Sequence, residues 1–118
     1  MISNRAVLPN RRHSETFEIR HGGQNTPFQI TVGYFTGPSY GWSGEIVPHT
    51  KIGEVFISGS KSGSAFDAVA RDGAILLSLC MQHGVPLETI KHAMTREADG
   101  SASTIVGAVV DRLTESAT

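Results

Sequence analysis

The sequence predicts an α+β domain in which a three-stranded antiparallel sheet is followed by three helices packed on one of its faces. Three observations predict it. Apolar and polar residues alternate in the first half of the chain, whereas in the second half apolar residues recur at steps of three and four. Most of the 13 glycines fall in the first two thirds, where strands and turns use them. The length of 118 residues accommodates one domain and not two.

Residues 1–13 read as an extended basic arm ending in Leu8-Pro9-Asn10-Arg11-Arg12-His13. The domain proper is expected over 14–114, and residues 115–118 as a polar, frayed tail. From Glu15, Phe17 and Ile19 face one way and Thr16 and Glu18 the other, the signature of a half-buried strand. The run from His21 to Asn25 is turn chemistry, because Gly22 and Gly23 accept positive φ and Asn tolerates it. A second strand carries Phe28, Ile30, Val32 and Tyr34, which completes a hairpin. The stretch from Thr36 to Thr50, broken by glycine and proline, reads as a long surface loop. A third strand, Gly53 to Ser58, sets Val55 and Ile57 against Glu54 and Phe56.

From Ser64 to about His83 the period is helical, with Phe66, Val69, Ala70, Gly73, Leu76, Leu77 and Cys80 on one apolar stripe. Ile75 and Leu79 widen that stripe, so this helix is expected to be the most buried element. Gly84 stops it, and Pro86 suits the first turn of a second helix bearing Leu87, Ile90, Ala93 and Met94. Asp99-Gly100-Ser101 breaks the chain again before a third helix with Ile105, Val106, Val109 and Leu113.

The balance of ten Lys and Arg against eleven Asp and Glu excludes a strongly basic nucleic-acid binder and an acidic disordered chain. No apolar run is long enough to span a bilayer, so the expectation is a soluble cytoplasmic protein without a membrane partner. A single cysteine, Cys80, excludes an internal disulfide and a cysteine-based zinc cage. On the apolar stripe it reads as a small buried hydrophobe rather than a nucleophile.

The candidate for chemistry is the loop Gly59-Ser60-Lys61-Ser62-Gly63-Ser64, between a strand and a helix. Unpaired N–H groups and the helix dipole favour an anion there, with Lys61 as a mobile charge and the serine hydroxyls as donors. It lacks the order and spacing of a Walker P-loop. Two readings stay open: a phosphate or nucleotide contact completed by Arg11 and Arg12, or simple capping of the helix by Ser64 with Asp67 reaching back. Asp67, Arg71 and Asp72 read as an exposed charged face of that helix. Tyr40 and Trp42 are the aromatics of the long loop, either a partner surface or a lid on the small core. The five histidines show no metal-ligand spacing, and no catalytic or metal-binding set emerges.

The motifs in order resemble the TSCPD domain family. Leu8-Pro9-Asn10-Arg11-Arg12 with Ser14-Glu15-Thr16-Phe17 is similar to its opening. Its centre is matched by the Gly59–Ser64 run, Ala68-x-Ala70-Arg71-Asp72 and Leu77-Ser78-Leu79. Gln82-His83-Gly84-Val85-Pro86-Leu87, Asp99-Gly100-Ser101-Ala102-Ser103 and Ile105-x-Gly107-Ala108 are similar to its closing segments. The resemblance runs from about Leu8 to Leu113 and implies a link to cobalamin-dependent ribonucleotide reductases, which carry such a domain near their C-terminus. The Thr-Ser-Cys-Pro-Asp sequence that names the family is absent, and no catalytic residue carries over.

The resemblance therefore implies an accessory or regulatory module, not an enzyme on its own, that binds no cofactor. Its expected partners are a reductase or other protein and a nucleotide or phosphate group; separately, an open edge of the sheet would be covered by a second copy across a two-fold axis, a homodimer. The alternative is a stand-alone nucleotide or nucleic-acid binder using Lys61, Arg11 and Arg12.

Overall fold

Alternation builds the sheet in the expected register. In the computed structural model, which describes residues 5, 6, 8, 10, 12–35, 39–40, 46–47, 52–59 and 64–116, β1 (Ser14–His21) pairs antiparallel with β2 (Thr26–Tyr34). Phe17 stands opposite Ile30 and Ile19 opposite Phe28, so the apolar residues of both strands share one face. The turn between them uses Gly22 at φ 91° and Asn25 at φ 52°, the left-handed conformations that glycine and asparagine tolerate. Within the long connection, β3 (Ser39–Tyr40) and β4 (Ile46–Val47) pair with each other, a short ladder that the sequence reading did not foresee. β5 (Ile52–Gly59) then pairs with β2, giving the order β1-β2-β5.

Three helices follow: α1 (Ala65–Gln82), α2 (Leu87–Ala93) and α3 (Ile105–Ser116). Ser64 is the N-cap of α1, and Gly84, at φ 88°, follows its end where expected. Pro86 stands one position earlier than expected, as the N-cap of α2. Ala93 is exposed rather than packed, and α3 runs on through Ser116 with Thr114 buried. The core joins Ile30, Val32, Val55 and Ile57 of the sheet to Leu77 and Met81 of α1, Ile90 of α2, and Val109, Val110 and Leu113 of α3. The fold class is α+β, as the two hydrophobic periods require.

The orientation of α1 differs from expectation. Phe66, Val69, Ile75 and Leu76 are solvent-exposed, and so is Cys80. The buried face instead carries Ala70, Ala74, Leu77 and Met81 together with three polar residues, Asp67, Ser78 and Gln82. Asp67 is thus buried, while Arg71 and Asp72 are exposed as expected.

The reason lies in the strand that α1 covers. β5 is bonded to β2 on one side only, and its other edge presents backbone groups that need partners. The Val55 N–H donates to Ser78 Oγ at 2.8 Å, and that hydroxyl is within reach of the carbonyls of Val55 (3.1 Å) and Ala74 (2.8 Å). Gln82 Nε2 donates to the Gly53 carbonyl at 2.8 Å, and the Gly59 N–H donates to Asp67 Oδ1 at 3.0 Å. Helix and strand run antiparallel, and the six residues from Gly53 to Gly59 rise by about the same distance as the fifteen from Asp67 to Gln82, so the helix spans the strand edge. Small side chains at Ala70, Ala74 and Ser78, one turn apart, let the helix approach closely. A helix that substitutes for a neighbouring strand has to turn its small and polar ridge inward. Its larger apolar residues are left outside.

The arm before β1 is docked on the same seam. The Ala6 N–H donates to the Gln82 carbonyl at 2.8 Å, and Arg5 bonds the Gln82 side chain. Leu8 lies so close to Gly53 that a Cβ there would meet its Cδ2 at 2.5 Å.

Candidate functional site

Of the expected anion loop, Ser60, Lys61, Ser62 and Gly63 lie outside the described residues, and its two ends, Gly59 and Ser64, are described. Both ends are engaged with Asp67. Ser64 Oγ accepts the Asp67 N–H at 3.1 Å, and the Asp67 carboxylate accepts the Gly59 N–H and pairs with Arg71 Nε at 3.1 Å. The N-terminus of α1 therefore carries a carboxylate of its own, held by the donors and the dipole that an incoming anion would use. Capping by Ser64 is present as one of the two readings required. Ser64→Ala should lower stability by about 1 kcal/mol, read from the shift of the urea midpoint at constant slope.

The arginines do not gather at this end. Arg12 pairs with Glu54 through Nε at 2.6 Å, near the start of β5, whereas Gly59 is its last residue. Glu54 reaches Arg12 by lying over Gly33, where a Cβ would come within 2.5 Å of its Oε2. Arg11 and Trp42 lie outside the described residues, and Tyr40 is placed only as a β3 residue opposite Ile46.

Two open clefts flank the sheet, each of about 380 Å³. The first lies between Thr16, Glu18, Gln29 and Ser58 and reaches Gly59. The second lies between Arg20, His21 and Asn25 of the β1–β2 turn and Ser101 and Asp111. Asp111 is held there by Arg96, whose two terminal nitrogens each bond one carboxylate oxygen at 2.7 Å. Arg96 also donates to the carbonyls of Lys91 and Gly100, so one guanidinium ties the α2–α3 connection together.

These hydrogen bonds hold the Asp111 carboxyl below the ordinary aspartate range, outweighing its partial desolvation, and the charges of Arg96 and Lys91 add to the effect. A carboxyl whose pKa is depressed in the folded state contributes stability above its unfolded pKa, and that contribution disappears as pH falls through the folded value. Asp111→Asn should therefore destabilise at neutral pH and flatten the loss of stability below about pH 4. Urea midpoints taken across that range decide it.

At the far end of the hairpin, Tyr34 donates to Glu15 Oε2 at 3.3 Å, and His13 lies 3.6 Å from the other Glu15 oxygen. Burial first, and then the Glu15 charge and hydrogen bond, push the Tyr34 hydroxyl up. That is the wrong direction for a base or nucleophile. Among the described residues, no three His, Cys, Asp or Glu side chains gather as a metal-ion site. No helix is long and apolar enough to cross a membrane among them either.

The other outstanding feature is the outer face of α1. Phe66, Val69, Ile75 and Leu76 stand exposed, and from Gly73 to Gln82 the helix carries no charged residue. A helix apolar all round is normally an interior element. The sequence pointed to this stripe but placed it inside. The residues that it missed were Asp67, Ser78 and Gln82, detectable only as polar positions sharing one face with Ala70, Ala74 and Leu77.

The described residues thus form an α+β domain that turns an apolar face of α1 outward. The family model of the TSCPD domain matches residues 4–116, and the chain belongs to that family. It is also similar to a vitamin B12-dependent ribonucleotide reductase of Agrobacterium fabrum, 36% identical over 91 residues, which is 77% of this chain. The match spans only 6% of that relative's length. No solved structure matches the chain.

Proposed function

We propose that the chain is a cytoplasmic, non-catalytic accessory module of ribonucleotide reduction that acts by binding protein. The single observation that carries this reading is the solvent-facing apolar surface of α1, which a domain of this size has reason to cover. The relative supports the reductase connection: there the same kind of domain is a small part of a far longer chain. A module of this kind contributes contacts rather than chemistry.

The test is calorimetric titration of the purified chain against a B12-dependent ribonucleotide reductase, with nucleotide reduction followed in parallel. The expected result is micromolar association, an altered reductase rate and no turnover by the chain alone. Turnover by the chain alone, or no association at high micromolar concentration, would overturn the reading.

Nucleotide or phosphate binding at the Gly59–Ser64 loop takes second place, because the Asp67 carboxylate already holds the Gly59 N–H and Ser64 caps this end of α1. A nucleotide titration that shifts the Gly59 and Ser64 amide resonances would reverse that order.

A further inference from the structure

We infer that the outer face of α1 is a self-association surface, on which a second copy of this chain packs its own α1 in antiparallel orientation about a two-fold axis. This deepens the protein-binding reading by naming the occupant of that face. At 3.6 residues per turn, Val69, Asp72, Leu76, Leu79 and His83 follow one another along the outward ridge, opposite Ala74 and Ser78 on the β5 side. Ile75 lies on one flank of the ridge. On the other, Phe66 and Cys80 share a side with Gly73, where a Cβ would meet Val106 Cγ2 of α3 at 2.5 Å. The ridge is therefore bordered by α3 on one side and open on the other.

Charge selects the occupant and its direction. The apolar centre of the ridge, Leu76 and Leu79, with Ile75 and Cys80 on its two flanks, contains no charged group, so it offers nothing to steer a charged foreign surface. Its polar residues, Asp72 and His83, sit at its two ends, about three turns apart and on the same face. In a parallel pair the two Asp72 carboxylates would face each other. In an antiparallel pair each Asp72 meets the His83 end of the other helix, and Leu76 meets the other copy's Leu79. One arrangement thus avoids the like-charge contact and buries the apolar centre.

Phe66, Val69, Ile75 and Leu76 are 84%, 69%, 54% and 64% exposed. Phe66 and Ile75, nine residues apart, lie on opposite flanks, so a partner helix covers Val69 and Leu76 with one of them, on the order of 300 Å² of the roughly 800 Å² that each partner buries in a standard interface. Leu79, Cys80, Asp72, His83 and the α3 border supply the remainder.

Sedimentation equilibrium of the full chain from low to high micromolar concentration tests the inference. The expected result is a reversible dimer. Leu76→Asp, at a position exposed in the single copy, should keep the helical circular dichroism and weaken association by roughly a hundredfold. Ile75→Glu should act in the same direction, and Phe56→Asp, on the outer face of the sheet, should leave the dimer intact. A strict monomer at the highest concentration would overturn the inference, as would a dimer indifferent to both α1 variants. The outcomes separate it from the accessory reading. A monomer that still binds the reductase leaves that reading standing, and a dimer that does not bind the reductase leaves only this one.

Discussion

Leu77→Ala should lower the free energy of unfolding by about 3 kcal/mol, whereas Leu76→Ala, one residue away, should cost under about 1 kcal/mol in dilute protein. Leu77 is 4% exposed and packs among sheet and helix residues of the core, so its truncation leaves a cavity that close-packed neighbours cannot fully fill. Leu76 gives up only surface that water already reaches. Urea unfolding of the two variants at low concentration, with equal slopes, is the measurement. If the two costs were equal, or reversed, α1 would have to be rotated to the stripe that periodicity alone selects.

Ser78→Ala should destabilise by about 2 kcal/mol, although it removes a single oxygen. The hydroxyl is the acceptor for the Val55 N–H, which lies on the β5 edge away from β2, and no water is expected to replace it beneath a helix packed this closely. Removing one partner leaves the other buried and unsatisfied, and this costs more than the bond itself contributes. Hydrogen exchange gives a second readout: the Val55 amide should lose protection more than its neighbours on the β2 side. Ser78→Cys, which keeps the volume but is a weak acceptor, should fall between the wild type and Ala. A loss below about 0.5 kcal/mol, or an unchanged Val55 amide, would remove Ser78 from the role of edge partner.

Much of this architecture is written locally. Phe17, Ile19, Phe28, Ile30, Val32, Val55 and Ile57 recur at every second position within their strands, and that period has one structural consequence, a two-faced strand. Gly22 and Asn25 announce a turn because few other residues accept positive φ. Ser64 and Gly84 bracket α1 for equally local reasons. The loop between Gly59 and Ser64 was visible as a strand-to-helix junction for the same reason. What it meets there was not visible, because the buried position of Asp67 depends on the strand beside it.

The side of α1 that faces inward is where the sequence stops and tertiary structure decides. Periodicity assigns burial by hydrophobicity, on the assumption that a helix packs on the apolar face of a sheet. Here the helix also seals the edge of β5, whose N–H and C=O groups at Gly53, Val55 and Gly59 need hydrogen-bonding partners at fixed intervals. Leaving those groups unpaired costs more than exposing leucine or valine to water, so Asp67, Ser78 and Gln82 go inside. The stripe of Phe66, Val69 and Leu76 that the sequence marks for burial is consequently left at the surface. The sequence by itself determined the three strands of the main sheet, the three helices, the β1–β2 turn and the family. Which face of α1 is buried, and which is left exposed, was decided by the unpaired backbone of a strand that no pattern within the helix records.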